Sequence, residues 1–242
     1  RIYDAKMPKL SERISEFPWP SITENLWQCG FSRIGTILNE SECSGVRELY
    51  ENDANFRARI DMARFRFGKG EYKYFRYPLP DLISGLRREL YARLHETANE
   101  WMTALRLPGE FPDTLEGFLQ RCKEHGQVRP TPLLLQYRAG DFNCLHQDVY
   151  GEIVFPFQVI VALSDPATDF EGGELLLVEQ LPRAQSRGHV LKLSRGEAAV
   201  ITTRYRPVKG ARGYYRSAIR HGVSTITKGE RFTLGIVFHD SK

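Results

Sequence analysis

After Pro130 the sequence breaks into six short β-rich runs, over 133–138, 153–164, 174–179, 189–193, 197–203 and 231–238. This succession limits the possible folds more than any other feature of the 242 residues. Gly140, Pro166, Gly172-Gly173, Gly188, Gly196 and Gly229 punctuate the runs. Strands of that length, parted by turn residues at near-regular intervals, build sandwiches and jelly rolls. The half before Pro130 reads differently. Leu82, Leu86, Leu90, Leu94, Ala98, Trp101, Met102 and Leu105 recur at spacings of three and four. They predict a long amphipathic helix over about 81–106, following Pro78-Leu79-Pro80. Shorter helices are expected over 41–52, with Ser41 as N-cap, and over 114–124, ending at Gly126. Residues 1–30, with Pro8, Pro18 and Pro20, read as an irregular arm. The expected architecture is α+β: a helical and lid region over 1–129 packed on a β core over 130–242, with helices buttressing one sheet.

Composition narrows the class further. Hydrophobic residues make up 41% and charged residues 26%, an ordinary globular balance that excludes broad disorder. No run approaches the roughly 18 apolar residues of a membrane helix. The four cysteines form no CxxC pair, and no basic-then-apolar leader stands at Arg1. Both observations suggest a cytoplasmic protein with reduced thiols, expected as a monomer.

His146-Gln147-Asp148 is the sharpest local signal. Alternate residues of an extended segment face the same way, so an imidazole and a carboxylate point together. Two histidines and one carboxylate on one face of an ion form the facial triad of non-haem Fe(II) oxygenases. His221, 75 residues on, is the candidate third ligand, and His189 and His239 rival it on composition alone. Arg231 stands ten residues after His221 and shares a strand face with Thr233. A guanidinium turned inward on an apolar strand needs an anionic partner, either a protein carboxylate or a bound acid.

Taken together, these elements resemble a known family. Tyr137-Arg138-Ala139-Gly140, His146-Gln147-Asp148, Phe170-Glu171-Gly172-Gly173-Glu174-Leu175, His221 and Arg231 follow the order of the Fe(II)- and 2-oxoglutarate-dependent dioxygenases, whose core is a double-stranded β-helix. The Gly-Gly turn and the His-to-Arg step are similar to prolyl hydroxylases, and the His-Gln-Asp triplet is similar to AlkB-type nucleic-acid demethylases. In the N-terminal half, Ile60-Asp61-Met62, the segment Phe67-Gly68-Lys69-Gly70-Glu71-Tyr72-Lys73-Tyr74-Phe75 and Pro78-Leu79-Pro80 resemble a mainly bacterial group of such oxygenases described as acting on damaged nucleic acid. One departure stands out: Val237 occupies the position of the second arginine of AlkB-type enzymes. The resemblance implies that His146, Asp148 and His221 hold Fe(II). It implies that Arg231 clamps 2-oxoglutarate with hydroxyl help from Tyr137 and Thr233, and that dioxygen is consumed with release of succinate and carbon dioxide. It places Cys144 beside the ligands but not among them.

Two stretches concentrate positive charge. Residues 56–76 carry seven Lys and Arg against Asp61 and Glu71, interleaved with six aromatic residues. Residues 180–229 carry eleven against Glu197 alone and run directly into His221. The net charge of +4 is thus a cancellation between these segments and an acidic remainder. Basic and aromatic residues in alternation suit a surface that tracks a strand and stacks its bases. The candidate substrate contacts are Lys69, Tyr72, Lys73, Tyr150, Arg204, Arg206, Arg212, Tyr214, Arg216 and Arg220. The reading is an oxygenase of a modified base, in DNA before RNA. A peptidyl hydroxylase and a non-catalytic metal-binding β-sandwich are the alternatives.

Overall fold

A computed structural model describes residues 8–242. Its elements in chain order are α1 (Leu10–Ser15), α2 (Trp19–Cys29), β1 (Phe31–Thr36), α3 (Glu40–Glu48), β2 (Phe56–Asp61), β3 (Gly68–Lys69), β4 (Glu71–Phe75), α4 (Asp81–Ala104), α5 (Leu115–Glu124) and β5 (Leu133–Arg138). There follow β6 (Phe142–His146), β7 (Phe157–Ala162), β8 (Phe170–Gly172), β9 (Leu175–Gln180), β10 (Arg187–Leu191), β11 (Glu197–Thr202), β12 (Tyr205–Gly210), β13 (Gly213–Val223) and β14 (Ile226–Val237). The major sheet has the order β1-β11-β7-β14-β5-β4-β2, with β8 paired to β14. The minor sheet has the order β10-β9-β13-β6-β3, with β12 paired to β13.

Strand parity explains the layering. In β7, Phe157, Val159 and Val161 join the cluster that contains Leu86, Leu90, Leu94 and Trp101 of α4. Ile160 and Ala162, on the other face, pack with Leu175, Leu177 and Ile219 of the minor sheet. β7 is therefore covered on both faces, which is why it reads as a continuous apolar run. In β14 the same alternation sends Phe232, Leu234 and Ile236 to the helix side. It leaves Arg231, Thr233 and Gly235 facing a cavity between the sheets. The long helix buttresses the major sheet as its periodicity predicts, and Leu90→Ala there would cost about 2–5 kcal/mol.

The N-terminal half departs from expectation in three ways. Residues 8–30 form α1 and α2 rather than an irregular arm; the part of that expectation on residues 1–7 lies outside the described residues. Pro18 and Pro20 stand at the start of α2, where a missing N–H breaks no intrahelical bond. Helix α3 is capped by Asn39 rather than Ser41. Asn39 Oδ1 accepts from the Glu42 N–H (2.8 Å) and Glu42 accepts from the Asn39 N–H (2.9 Å). This reciprocal box satisfies two otherwise unpaired donors, which a cap inside the first turn would not. Finally, the region is not purely helical: β1, β2 and β4 extend the major sheet, with β1 on β11 and β4 on β5.

Candidate metal centre

The register of β6 on β13 sets His146 directly opposite His221, with ring centroids 4.2 Å apart. Asp148 lies just beyond the end of β6. His146 Nε2 is 3.5 Å from Asp148 Oδ1, and His221 Nε2 is 3.2 Å from Asp148 Oδ2. One ligand atom from each residue falls within 4.8 Å of the others. Among the described residues these three alone form such a group, so neither rival histidine joins it. His189 is on β10, against the Phe31 ring. His239 is buried behind Tyr150 with its Nδ1 accepting from the Phe155 N–H, and burial lowers its pKa to about 4.

The surroundings prepare the donors for a cation. His146 Nδ1 donates to the Cys144 carbonyl (2.8 Å), which fixes the tautomer that presents Nε2. The Cys144 contribution is this carbonyl; its thiol is exposed. Tyr150 Oη donates to Asp148 Oδ1 (2.5 Å) and so orients the carboxylate. Burial alone would raise the Asp148 carboxyl, but the hydrogen bonds and charges of His146 and His221 hold it well below the ordinary range. Burial lowers His221, helped by the nearby His146. His146, also desolvated, is raised by its hydrogen bond to Asp148. An anionic carboxylate between two imidazoles on adjacent strands is a donor set that fits Fe(II) and leaves coordination positions open.

A cavity of about 170 Å³ runs from this cluster to Arg231. Leu133, Leu135, Ile160, Leu175 and Val223 line it, and Gly235 keeps its floor low, since a Cβ there would meet Leu133 at 2.6 Å. Arg231 is 7% exposed, and among the described residues no carboxylate forms an ion pair with it. Its guanidinium lies 5.7 Å from the Tyr137 ring and 5.9 Å from that of Phe170. Burial lowers its pKa against the opposing pull of Tyr137 and Glu174. Thr233 Oγ1, also facing the cavity, is buried without a partner. Tyr137 is fully buried and accepts from Asn143 Nδ2 (3.1 Å). A side chain at Gly173, with φ +65°, would strike Ile226 and crowd the Arg231 stem at 3.1 Å, so the Gly-Gly turn clears room for the guanidinium. A buried cation without a counterion beside an unpaired hydroxyl fits the distal carboxylate of a dicarboxylic acid.

The expected substrate residues divide. Lys73 is buried, with Nζ donating to the Tyr50 carbonyl (2.8 Å) and Asp53 Oδ1 (2.7 Å), so it ties β4 to the turns that precede β2 and faces no substrate. Arg206 is likewise internal, with Nε on Glu179 Oε1 (2.6 Å) and a second bond to the Trp27 carbonyl (3.0 Å). Lys69 is exposed, 3.7 Å from Asp141. Tyr72 and Tyr150 line the iron cavity. Arg204, Arg212, Tyr214, Arg216 and Arg220 are exposed on or beside the β12–β13 hairpin, which the basic run forms. Three residues were not anticipated. Phe67 stands at the cavity wall, Asn143 holds Tyr137, and Gln147 donates to the carbonyls of Arg204 and Ile219 (both 2.9 Å). Parity offered a signal only for Gln147, whose amide turns from its two neighbours to those carbonyls, although the residue also lines the cavity.

The chain is similar to several known proteins. A family profile described as "Oxygenase, catalysing oxidative methylation of damaged DNA" matches residues 70–241. Two uncharacterized proteins of Mycobacterium tuberculosis, MT2286 and Rv2227, are each 50% identical over 167 residues, covering 69% of this chain and 72% of theirs. Among solved structures, a Pseudomonas putida prolyl 4-hydroxylase superposes with TM-score 0.54 at 14% identity, over 93% of this chain and 99% of that one. A Burkholderia pseudomallei oxidoreductase of the 2-oxoglutarate–Fe(II) oxygenase family gives 0.52 at 15% identity, over 93% of each chain. At such identities these structures establish a shared jelly-roll fold. With the profile match and the His146–Asp148–His221 triad, the chain belongs to this oxygenase family and is an Fe(II)- and 2-oxoglutarate-dependent dioxygenase.

Proposed function

We propose that this dioxygenase oxidises a modified base in nucleic acid, with DNA as the favoured polymer, in the cytoplasm. The observation that carries the reading is an aromatic platform at the rim of the iron cavity. Phe65 and Phe67 are 53% and 48% exposed, and their rings stack 5.6 Å apart at an interplanar angle of 19°. Phe67 also lines the cavity that holds the triad. Arg64, Arg66 and Lys69, all exposed, neighbour the pair in sequence. Two large exposed rings are costly in water and are repaid by stacking on a base, while the neighbouring cations meet phosphates. The family description, which names damaged DNA, supports the same reading. A base must be unpaired or flipped to enter.

Each residue has a definite task in this reading. His146, Asp148 and His221 would hold Fe(II), and Tyr150 keeps the Asp148 carboxylate oriented. Arg231 and Thr233 would bind the far carboxylate of 2-oxoglutarate, where each charge-assisted hydrogen bond contributes roughly 1.5–3 kcal/mol. The aliphatic wall excludes water from the reacting centre. Bound there, Fe(II) and 2-oxoglutarate supply oxidative decarboxylation with dioxygen, yielding succinate, carbon dioxide and a hydroxylated C–H bond. A methyl on nitrogen would then leave as formaldehyde, whereas one on carbon would remain as hydroxymethyl.

The test is succinate release with Fe(II), 2-oxoglutarate and a panel of methylated single-stranded oligonucleotides. Stimulation by one of them, lost in His146→Ala, is expected. Turnover that no oligonucleotide stimulates, together with a +16 Da peptide product, would replace this reading with a peptidyl hydroxylase.

A further inference from the structure

A second cavity, of about 230 Å³, stands beside the iron cavity. Gln147 links the two: it lines the first, and its amide donates to the carbonyl of Arg204, which lines the second. Gly151, three residues after Asp148, also lines the second. The apolar part of the wall comes from the end of α4 and the segment beyond it (Met102, Leu105 and Leu107) and from Val154 and Pro156, which precede β7. Trp101 closes it; this residue is 1% exposed and its indole N–H has no partner.

The opposite side is cationic. The Arg204 guanidinium lies 4.7 Å from the Tyr205 ring centroid and that of Arg216 lies 5.8 Å from it. Both arginines are exposed, and among the described residues neither forms an ion pair with a carboxylate. Glu152 is the one acidic residue of the wall. Two guanidinia gathered on one ring, with no carboxylate on either, offer a site for an anion. An apolar slot, a free buried N–H and a pair of unpaired guanidinia at the edge match a nucleotide. The base occupies the slot, and its phosphate meets the arginines.

We propose that this cavity is a subsite for the nucleotide adjacent to the target base. The proposal rests on the nucleic-acid reading above and adds to it a separate place for a flanking residue. Its consequence is that the enzyme grips at least two consecutive nucleotides, the target at the iron and its neighbour on the far side of Gln147.

The test is fluorescence anisotropy of a labelled single-stranded DNA 12-mer with the full chain, over a salt series. Arg204→Glu/Arg216→Glu should weaken binding at least tenfold. It should also flatten the slope of log affinity against log salt by about 0.7, the value for one lost phosphate contact on a single strand. Leu107→Trp, which fills the slot, should weaken binding several-fold with the salt slope intact. Arg93→Glu/Lys123→Glu, equal in charge change on exposed helical positions, should weaken it less than threefold. Equal losses in both double variants, or none in Arg204→Glu/Arg216→Glu, would overturn the subsite while leaving the nucleic-acid reading standing. A wild-type protein that binds no oligonucleotide but binds labelled polyglutamate would sink both, in favour of an acidic peptide.

Discussion

The iron cavity and the basic rim carry the same kinds of side chain under opposite conditions. Arg231 is a cation buried between two sheets with no ion-pair partner among the described residues, whereas Arg216 is an exposed cation on a hairpin. In the cavity, position alone singles out the residue as a candidate, because an unpaired buried charge is costly unless something meets it. On the rim, charge says nothing until pairing is known. Lys73 and Arg206 come from the two basic stretches yet are spent internally, on Asp53 and Glu179. A charge count over a segment therefore overstates the surface that can meet a polyanion.

Three substitutions test this difference, and a fourth tests the scaffold. The largest effect is expected from His221→Ala. It removes one of three ligands, so stoichiometric Fe(II) binding should vanish and succinate release should fall to background, measured by metal analysis and turnover. Next comes Tyr150→Phe, which leaves the ligands but frees Asp148 Oδ1. Loss of such a supporting hydrogen bond typically costs about 10–100-fold in metal affinity, readable by competitive chelator titration with little change in melting temperature. On the rim side, Lys73→Met should cost about 1–3 kcal/mol in urea unfolding, because the Tyr50 carbonyl loses its donor. Oligonucleotide affinity should not move with it; a matching fall would return Lys73 to the substrate surface.

The smallest effect concerns a scaffold pair. Arg13 and Glu42 are joined by two bonds of 2.8 and 2.7 Å. Burial pushes the Glu42 carboxyl up, but the Arg13 hydrogen bond and the Asn39 cap bring it below its ordinary value. A depressed folded pKa means stability present above the unfolded value of 4.5 and lost as pH falls through the folded one. Glu42→Gln should thus cost about 0.5–1 kcal/mol at pH 7, with the gap to wild type closing toward pH 3. Chemical denaturation at the two pH values measures it.

The sequence exposed the site better than the scaffold that holds it. β5 lies over its expected residues, and the His146–Asp148 and Arg231–Thr233 pairs face one cavity, because parity is a local property. What stayed hidden depends on distant partners. The pairing of β1 with β11 joins residues more than 160 positions apart, and no local pattern announces it. β12 and β13 are missing from the expected strands because the buried positions between their exposed cations mix small or polar residues such as Ser217 with apolar ones such as Ile219, so no clean apolar alternation shows. Tyr150 seemed suited to a base; only the fold brings its hydroxyl onto Asp148.

One cavity holds the triad at one end and the buried Arg231 at the other, the residue proposed to meet the dicarboxylate. Anaerobic calorimetry of 2-oxoglutarate into Fe(II)-loaded protein, with wild type and Arg231→Leu side by side, tests that role most directly. Wild type should bind one equivalent. The variant should keep its iron, fold at least as stably because a buried unpaired charge is gone, and bind the acid at least tenfold more weakly. Equal 2-oxoglutarate affinity in the two proteins would rule out Arg231 as the clamp.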